Sequence, residues 1–191
     1  MRMIRQLLLV ALFGCAAAPR AAADPQFPDL DGFAAVDEAA YNTYHTYGTP
    51  GWQFAAPGGT HCRYTVNVRG GALSLMCWGA LPGAPAGQNA VSLATGGADF
   101  RPAAFTKSSV QTYGYRDDGY PGMPRPTPIT ERDYPPLPQG QKLVVSKMGA
   151  VMTCAVGDGG ATACQVELQR GEDQDEQRHG FVLSPEGSWT F

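Results

Sequence analysis

The sequence has no apolar run long enough to cross a bilayer. The longest, Leu7 to Phe13, falls far short of the roughly 18–20 residues a spanning helix needs. A mature chain without it therefore carries no transmembrane helix. A basic excess is also missing, since 14 Lys and Arg face 17 Asp and Glu and the formal net charge is −3. Nucleic acid demands a basic footprint, so it is excluded as a partner. Electrostatic docking on anionic lipid is disfavoured for the same reason. Histidine is scarce, with only His45, His61 and His179. There is no Gly-x-Ser-x-Gly elbow, no His-Glu-x-x-His pair and no phosphate-cradling glycine loop before a helix. The sequence thus implies no cofactor, no metal and no ready-made catalytic constellation.

What is present begins with an export signal. Arg2 and Arg5 precede the short apolar run, and small residues follow it. Ala21-Ala22-Ala23 before Asp24 offers a cleavage site, so residues 1–23 read as a signal peptide and 24–191 as the secreted domain. Removing Arg2, Arg5 and Arg20 leaves 11 basic residues against 17 acidic, a net charge of about −6. Leu12-Phe13-Gly14-Cys15 is a lipobox-like alternative that would tether a lipoprotein through Cys15. Phe13 is awkward in that motif, which favours cleavage after Ala23.

Five cysteines are present. Loss of Cys15 leaves Cys62, Cys77, Cys154 and Cys164, an even set that an oxidising compartment would pair in preference to holding zinc. Alternation suggests how. In "CRYTVNVRGGALSLMCW" (62–78), Cys62, Tyr64, Val66 and Val68 alternate with polar residues, as do Leu73, Leu75 and Cys77. A turn at Arg69-Gly70 sets Cys62 against Cys77, Tyr64 against Leu75 and Val66 against Leu73. A slip of one residue would face Leu73 and Leu75 with polar neighbours. In "AVMTCAVGDGGATACQVEL" (150–168), a turn over 157–161 sets Cys154 against Cys164 and Met152 against Val166. Bridges Cys62–Cys77 and Cys154–Cys164 are favoured, although four cysteines allow three connectivities.

Elsewhere, Asp31 can cap a helix from Gly32 to Tyr47. Val36, Ala40, Tyr44 and Tyr47 would form its apolar face, with Gly48 as its stop. Trp52 to Ala55 reads as a short strand, followed by a turn over 56–59. Residues 113–140 hold seven prolines, which excludes central strand or helix interior. They form a loop within one domain; a polyproline ligand is the less favoured alternative. Phe181 and Leu183, the turn Ser184-Pro185-Glu186-Gly187, then Trp189 and Phe191 make a final hairpin.

Several of these pieces occur in a set order: "FPDLDGF" (27–33), "FAAPGGTHC" (54–62), "CWGALPG" (77–83), "LPQGQKL" (137–143) and "HGFVLSPEGSWTF" (179–191). Together they resemble a family of small secreted actinobacterial proteins, chiefly mycobacterial, of unknown function. Phe54, Pro57, Gly59 and Cys62, then Gly180, Phe181, Leu183 and Ser184, carry the likeness, and the Pro-rich middle matches least. The resemblance implies secretion, disulfides and a β-rich fold, and it brings no catalytic residue.

Two chemical readings follow. Aromatic residues outside the strand pattern, namely Trp78, Tyr113, Tyr115, Tyr120 and Tyr134, could line a groove for a glycan, lipid or peptide of the envelope. Trp78 alternatively packs on the expected helix, and that is the favoured role. A small envelope hydrolase would instead use His179 with Ser184 or a remote carboxylate. The acidic run "EDQDE" (172–176) lacks the spacing of a calcium loop and reads as solvated. The expected molecule is mainly β. It has antiparallel sheets, sandwich-like or as an open barrel, with one N-terminal helix and two disulfides. The expected role is a non-enzymatic secreted binding module of the cell envelope.

Overall fold

The structure is a computed structural model that describes residues 27–46, 48–96, 99–109, 115–116, 127–169 and 177–191. The expected signal peptide, Cys15, Tyr47, Tyr113, Tyr120 and the acidic run 172–176 lie outside the described residues. In chain order the first strands are β1 (Ala34–Ala35), β2 (Tyr44–Thr46), β3 (Thr49–Ala56), β4 (Thr60–Asn67), β5 (Ala72–Gly79), β6 (Ala90–Gly96), β7 (Asp99–Phe100) and β8 (Ala104–Thr106). They are followed by β9 (Tyr115–Arg116), β10 (Thr127–Pro128), β11 (Gln141–Lys147), β12 (Ala150–Val156), β13 (Thr162–Leu168), β14 (Gln177–Leu183) and β15 (Trp189–Thr190).

One sheet of seven strands runs β2-β3-β4-β5-β6-β7, with β8 also paired to β6. The second, of six strands, runs β1-β11-β12-β13-β14-β15. Pairing is antiparallel except where β1 joins β11. Strands β9 and β10 form a separate two-stranded ribbon.

The alternation-derived registers hold. Cys62 pairs with Cys77, Tyr64 with Leu75 and Val66 with Leu73. Cys154 pairs with Cys164 and Met152 with Val166. Both disulfides form as expected, each between Cα atoms 4.1 Å apart. That spacing is the closely approached kind of antiparallel pair. Val68 departs from its inward pattern: it lies in the turn after β4 and is 55% exposed. The final hairpin also forms, with Gly187 N–H donating to Ser184 O across the turn and Val182 paired with Trp189.

Inward residues of both sheets share one core. It includes Phe54, Cys62, Tyr64, Leu75 and Cys77 from one sheet and Leu143, Met152, Cys154, Cys164 and Phe181 from the other. The sheets therefore bury facing surfaces against each other, which is the main source of stabilisation available to such a fold.

The expected helix over 32–47 is not there. Ala34 and Val36 donate their N–H groups to Gly140 O and Lys142 O, so this stretch extends the edge of β11. Asp37 then caps a 3-10 turn, Glu38–Tyr41, by accepting from Ala39 N. Tyr44 and Thr46, good strand formers, continue as β2, and Gly48 takes φ +72° in the following hairpin turn. The three-and-four spacing was too short to outweigh a sheet edge that needed covering. Tyr41 is the buried member of the 3-10 turn.

Each sheet also has a covered outer face. The "FPDLDGF" stretch lays Leu30 over Ala155, Ala163 and Val182, with Phe27, Phe33 and Trp189 packed around them. On the other sheet Tyr134 and Ile129 pack over Trp78 and Ala90. Irregular segments thus do what the missing helix was expected to do.

Candidate functional site

Parity puts Cys62 and Tyr64 of β4 inward, so His61 and Arg63 face out. The same rule turns Trp78 of β5 outward, and the three meet there. Arg63 is nevertheless only 6% exposed. Its Nε donates to Gln53 Oε1 at 2.6 Å and an Nη to the Tyr134 hydroxyl at 2.6 Å. The guanidinium lies 4.2 Å from the Tyr44 ring centroid and 5.1 Å from that of Trp78. Arginine suits this burial, because its planar cation stacks on aromatic faces while donating in the plane. His61 sits edge-on to Tyr134, with ring centroids 4.9 Å apart.

The cover is fixed by backbone as well. Ala55 N–H donates to Pro135 O at 3.1 Å, and Leu137 N–H to Ala55 O at 3.0 Å. Asp133 O accepts from Gln53 Nε2 at 3.1 Å and from the Thr43 hydroxyl. The Pro-rich stretch therefore lies alongside β3 at Ala55, beyond residues 49–51 that pair with β2. Burial raises the Tyr134 hydroxyl above the usual tyrosine range, against the opposing pull of Arg63.

The sequence-predicted aromatics are thereby sorted. Trp78 and Tyr134 are 6% and 7% exposed and pack edge to face at 5.8 Å. They close on Arg63 and leave no open platform. Trp78 packs as expected, but on Tyr134 in place of a helix. The Tyr115 backbone pairs with Pro128, and its side chain is outside the described residues, as are Tyr113 and Tyr120. Arg63→Ala is expected to cost about 2–3 kcal/mol, because Tyr134 and Gln53 lose a charged partner in a dry setting. Amide exchange should show Leu137 losing protection well before Met152. Unchanged protection at Leu137 would mean that Arg63 does not hold the cover.

His179 of β14 is half-buried with its ring 4.7 Å from that of Phe100. Among the described residues it makes no hydrogen bond to a carboxylate or hydroxyl. Ser184 Oγ instead accepts from Glu186 N–H within the final turn. No group of three or more His, Cys, Asp or Glu converges among the described residues.

The open site lies elsewhere. A cleft of about 410 Å³ sits where the β4–β5 turn of one sheet approaches the β11–β12 turn of the other. Trp52 and Val66 are core residues at 4% and 1% exposure, and they reach its wall. Val68 and Met148 flank it at 55% and 50% exposure, the exposed large apolar side chains among the described residues. Lys147 Nζ stands 5.5 Å above the Trp52 ring and 3.2 Å from Glu38 Oε1. The rings of Trp52 and Tyr64 lie tilted with centroids 5.9 Å apart, and the indole N–H and the tyrosine hydroxyl are both buried without hydrogen-bond partners. Burial raises the Tyr64 hydroxyl far above the usual tyrosine range.

A local signal for this cleft existed in the sequence. Val68 and Met148 both stand in hairpin turns, where polar residues and glycine are the rule. Met148 even adopts φ +53°, a conformation usually left to Gly or Asn. A larger hollow of about 660 Å³, beside Asp29, Gln165 and Arg178, is wide and polar-walled. Comparison with family models, curated proteins and solved structures finds no match to this chain.

Proposed function

We propose that the protein is an exported binding module of the extracellular space or cell envelope, with no catalytic machinery of its own. The observation that carries this reading is the pair of disulfides. All four cysteines are fully buried, one bridge is set in each sheet, and both belong to the same core. Such bridges persist in oxidising compartments, and cytosolic thiol systems keep them open. The leader-like residues 1–23 point the same way, as does the resemblance to small secreted actinobacterial proteins.

A sandwich-like scaffold of this kind presents a ligand from a rigid frame, and here the candidate surface is the cleft beside Trp52. The aromatic and Pro-rich middle contributes to the frame: its Tyr134 end is spent on packing. Intact mass spectrometry of the native exported protein is the test. The expected mass is that of a chain starting at Asp24 and lacking four hydrogens. A diacylated chain starting at Cys15 would place the same module on a membrane. Four free thiols, or a retained leader on a cytosolic protein, would overturn the reading.

A further inference from the structure

We propose that the cleft between Trp52, Val68 and Met148 binds an acyl chain through its apolar body and its carboxyl oxygens. This rests on the reading of the protein as a binding module and names the class of ligand.

Three observations converge there. First, Val68 and Met148 come from different sheets, yet they flank one cleft whose wall is core. Exposed apolar residues scattered singly need no explanation, but two at one concave opening mark a surface that something apolar can cover. Second, Trp52 is 4% exposed and its indole N–H has no partner. A buried indole N–H normally finds an acceptor, and a ligand oxygen would supply one. Third, Lys147 lies over that same ring and lines the same cleft. Its pairing with Glu38 is half-exposed, 43% and 38% by side chain. Exposed pairs of this kind are weak, and the flexible lysine stem can move its ammonium from Glu38 to an entering carboxylate.

The same features select against other ligands. A glycan stacks on an open aromatic face, but the Trp52 ring is nearly closed off. An extended peptide needs a strand edge, and the walls here are turns and side chains. A cationic amphiphile would have to displace Lys147 from Glu38, with the Lys147 ammonium left beside its head. Met148 is unbranched and adaptable, which suits a slim chain of variable length. The volume lies within the range of about 300–1,000 Å³ usual for small-molecule sites.

The experiment titrates isotope-labelled mature protein, disulfides intact, with decanoate, methyl decanoate and decyltrimethylammonium. The three tryptophans give three indole N–H resonances. Decanoate is expected to shift the Trp52 resonance saturably, together with the Met148 methyl. Val68→Asp and Met148→Asp, both at exposed turn positions, should each weaken decanoate roughly tenfold, a change of about 1.4 kcal/mol. Lys147→Ala should weaken decanoate and leave methyl decanoate unchanged. Decanoate is expected to bind more tightly than the methyl ester, and equal affinity would overturn the part given to Lys147 and the carboxylate. No saturable shift with either would overturn the proposal, and so would Asp variants that bind normally. Tighter binding of decyltrimethylammonium would overturn it as well. A correctly exported, disulfide-bonded protein that ignores decanoate sinks the ligand class and leaves the module reading standing.

Discussion

A chain carrying Cys62→Ala, Cys77→Ala, Cys154→Ala and Cys164→Ala together is expected to lose a third or more of its folding free energy. The bridges close loops with sequence separations of 15 and 10 residues. On the chain-entropy account each such loop contributes about 3 kcal/mol. The two lie in different sheets, so their contributions should add approximately. Their sum of about 5–6 kcal/mol compares with a total stability of roughly 5–15 kcal/mol for an ordinary domain. Alanine also leaves unfilled volume, because all four sulfurs sit in the core at 0% exposure. Each pair removed alone should lower Tm by roughly 6–12 °C, given about 2–4 °C per kcal/mol at this chain length. Thermal unfolding of both pair variants, with reduced wild type as the comparison, measures this. A pair variant that melts with the wild type would show that its bridge does not restrain the unfolded chain.

Gly180→Ala should be among the most damaging single methyl additions in the molecule, at about 3 kcal/mol or more. The backbone there is extended, so conformational freedom is not the issue. Space is: a Cβ at Gly180 would lie 2.2 Å from Cys164 O and 2.9 Å from Gln165 Cα, with the Phe191 ring also at 2.9 Å. Two of these neighbours are backbone atoms of β13, which cannot rotate away as a side chain can. Overpacking a good core costs about 1–3 kcal/mol when side chains can adjust, and here the strands themselves must part. Gly180 also exchanges both backbone hydrogen bonds with Phe191, at 3.1 and 3.0 Å. The aromatic ring thus roofs a glycine that has no side chain of its own to pack. Gly32→Ala, which would meet nothing within 4 Å, serves as the control and should be near neutral. Chemical denaturation of the two variants separates them. Similar midpoints would mean that β13 and β14 can separate at little cost.

The hairpins were legible because alternation and turn residues act over a few positions. Cys62 against Cys77 needs only the period of two and a glycine turn, and both are local. The helix failed for the complementary reason. Val36, Ala40 and Tyr44 have helical spacing, but the edge of β11, a hundred residues away, claims Val36, a 3-10 turn takes Ala40, and β3 pairs with Tyr44. Asp37, the working cap, was there to be seen, and so was the short turn ending at Gly48. Arg63 was read as an outward polar residue, as arginine usually is. Its burial depends on Tyr134, 71 positions downstream, and no local pattern announces that meeting. Tyr134 and Trp78 stand outside the local strand pattern, and in the fold they close on each other and on Arg63. Nothing in the residues around Gly180 gives a physical reason for a glycine there. The contact with Cys164 O and the Phe191 ring supplies one.

The lengths of the outermost strands have a colloidal consequence. The six-stranded sheet ends in β1 and β15, each of two residues, and the larger sheet ends in β2 with three and in β7 and β8 with two and three. A long bare edge is a template on which another chain can add a strand. Stubs this short interrupt the longer strands they pair with, so a newcomer meets a broken edge in place of a full-length one. A protein rich in strands then resists edge-to-edge pairing of its copies without needing a strong charge to keep them apart.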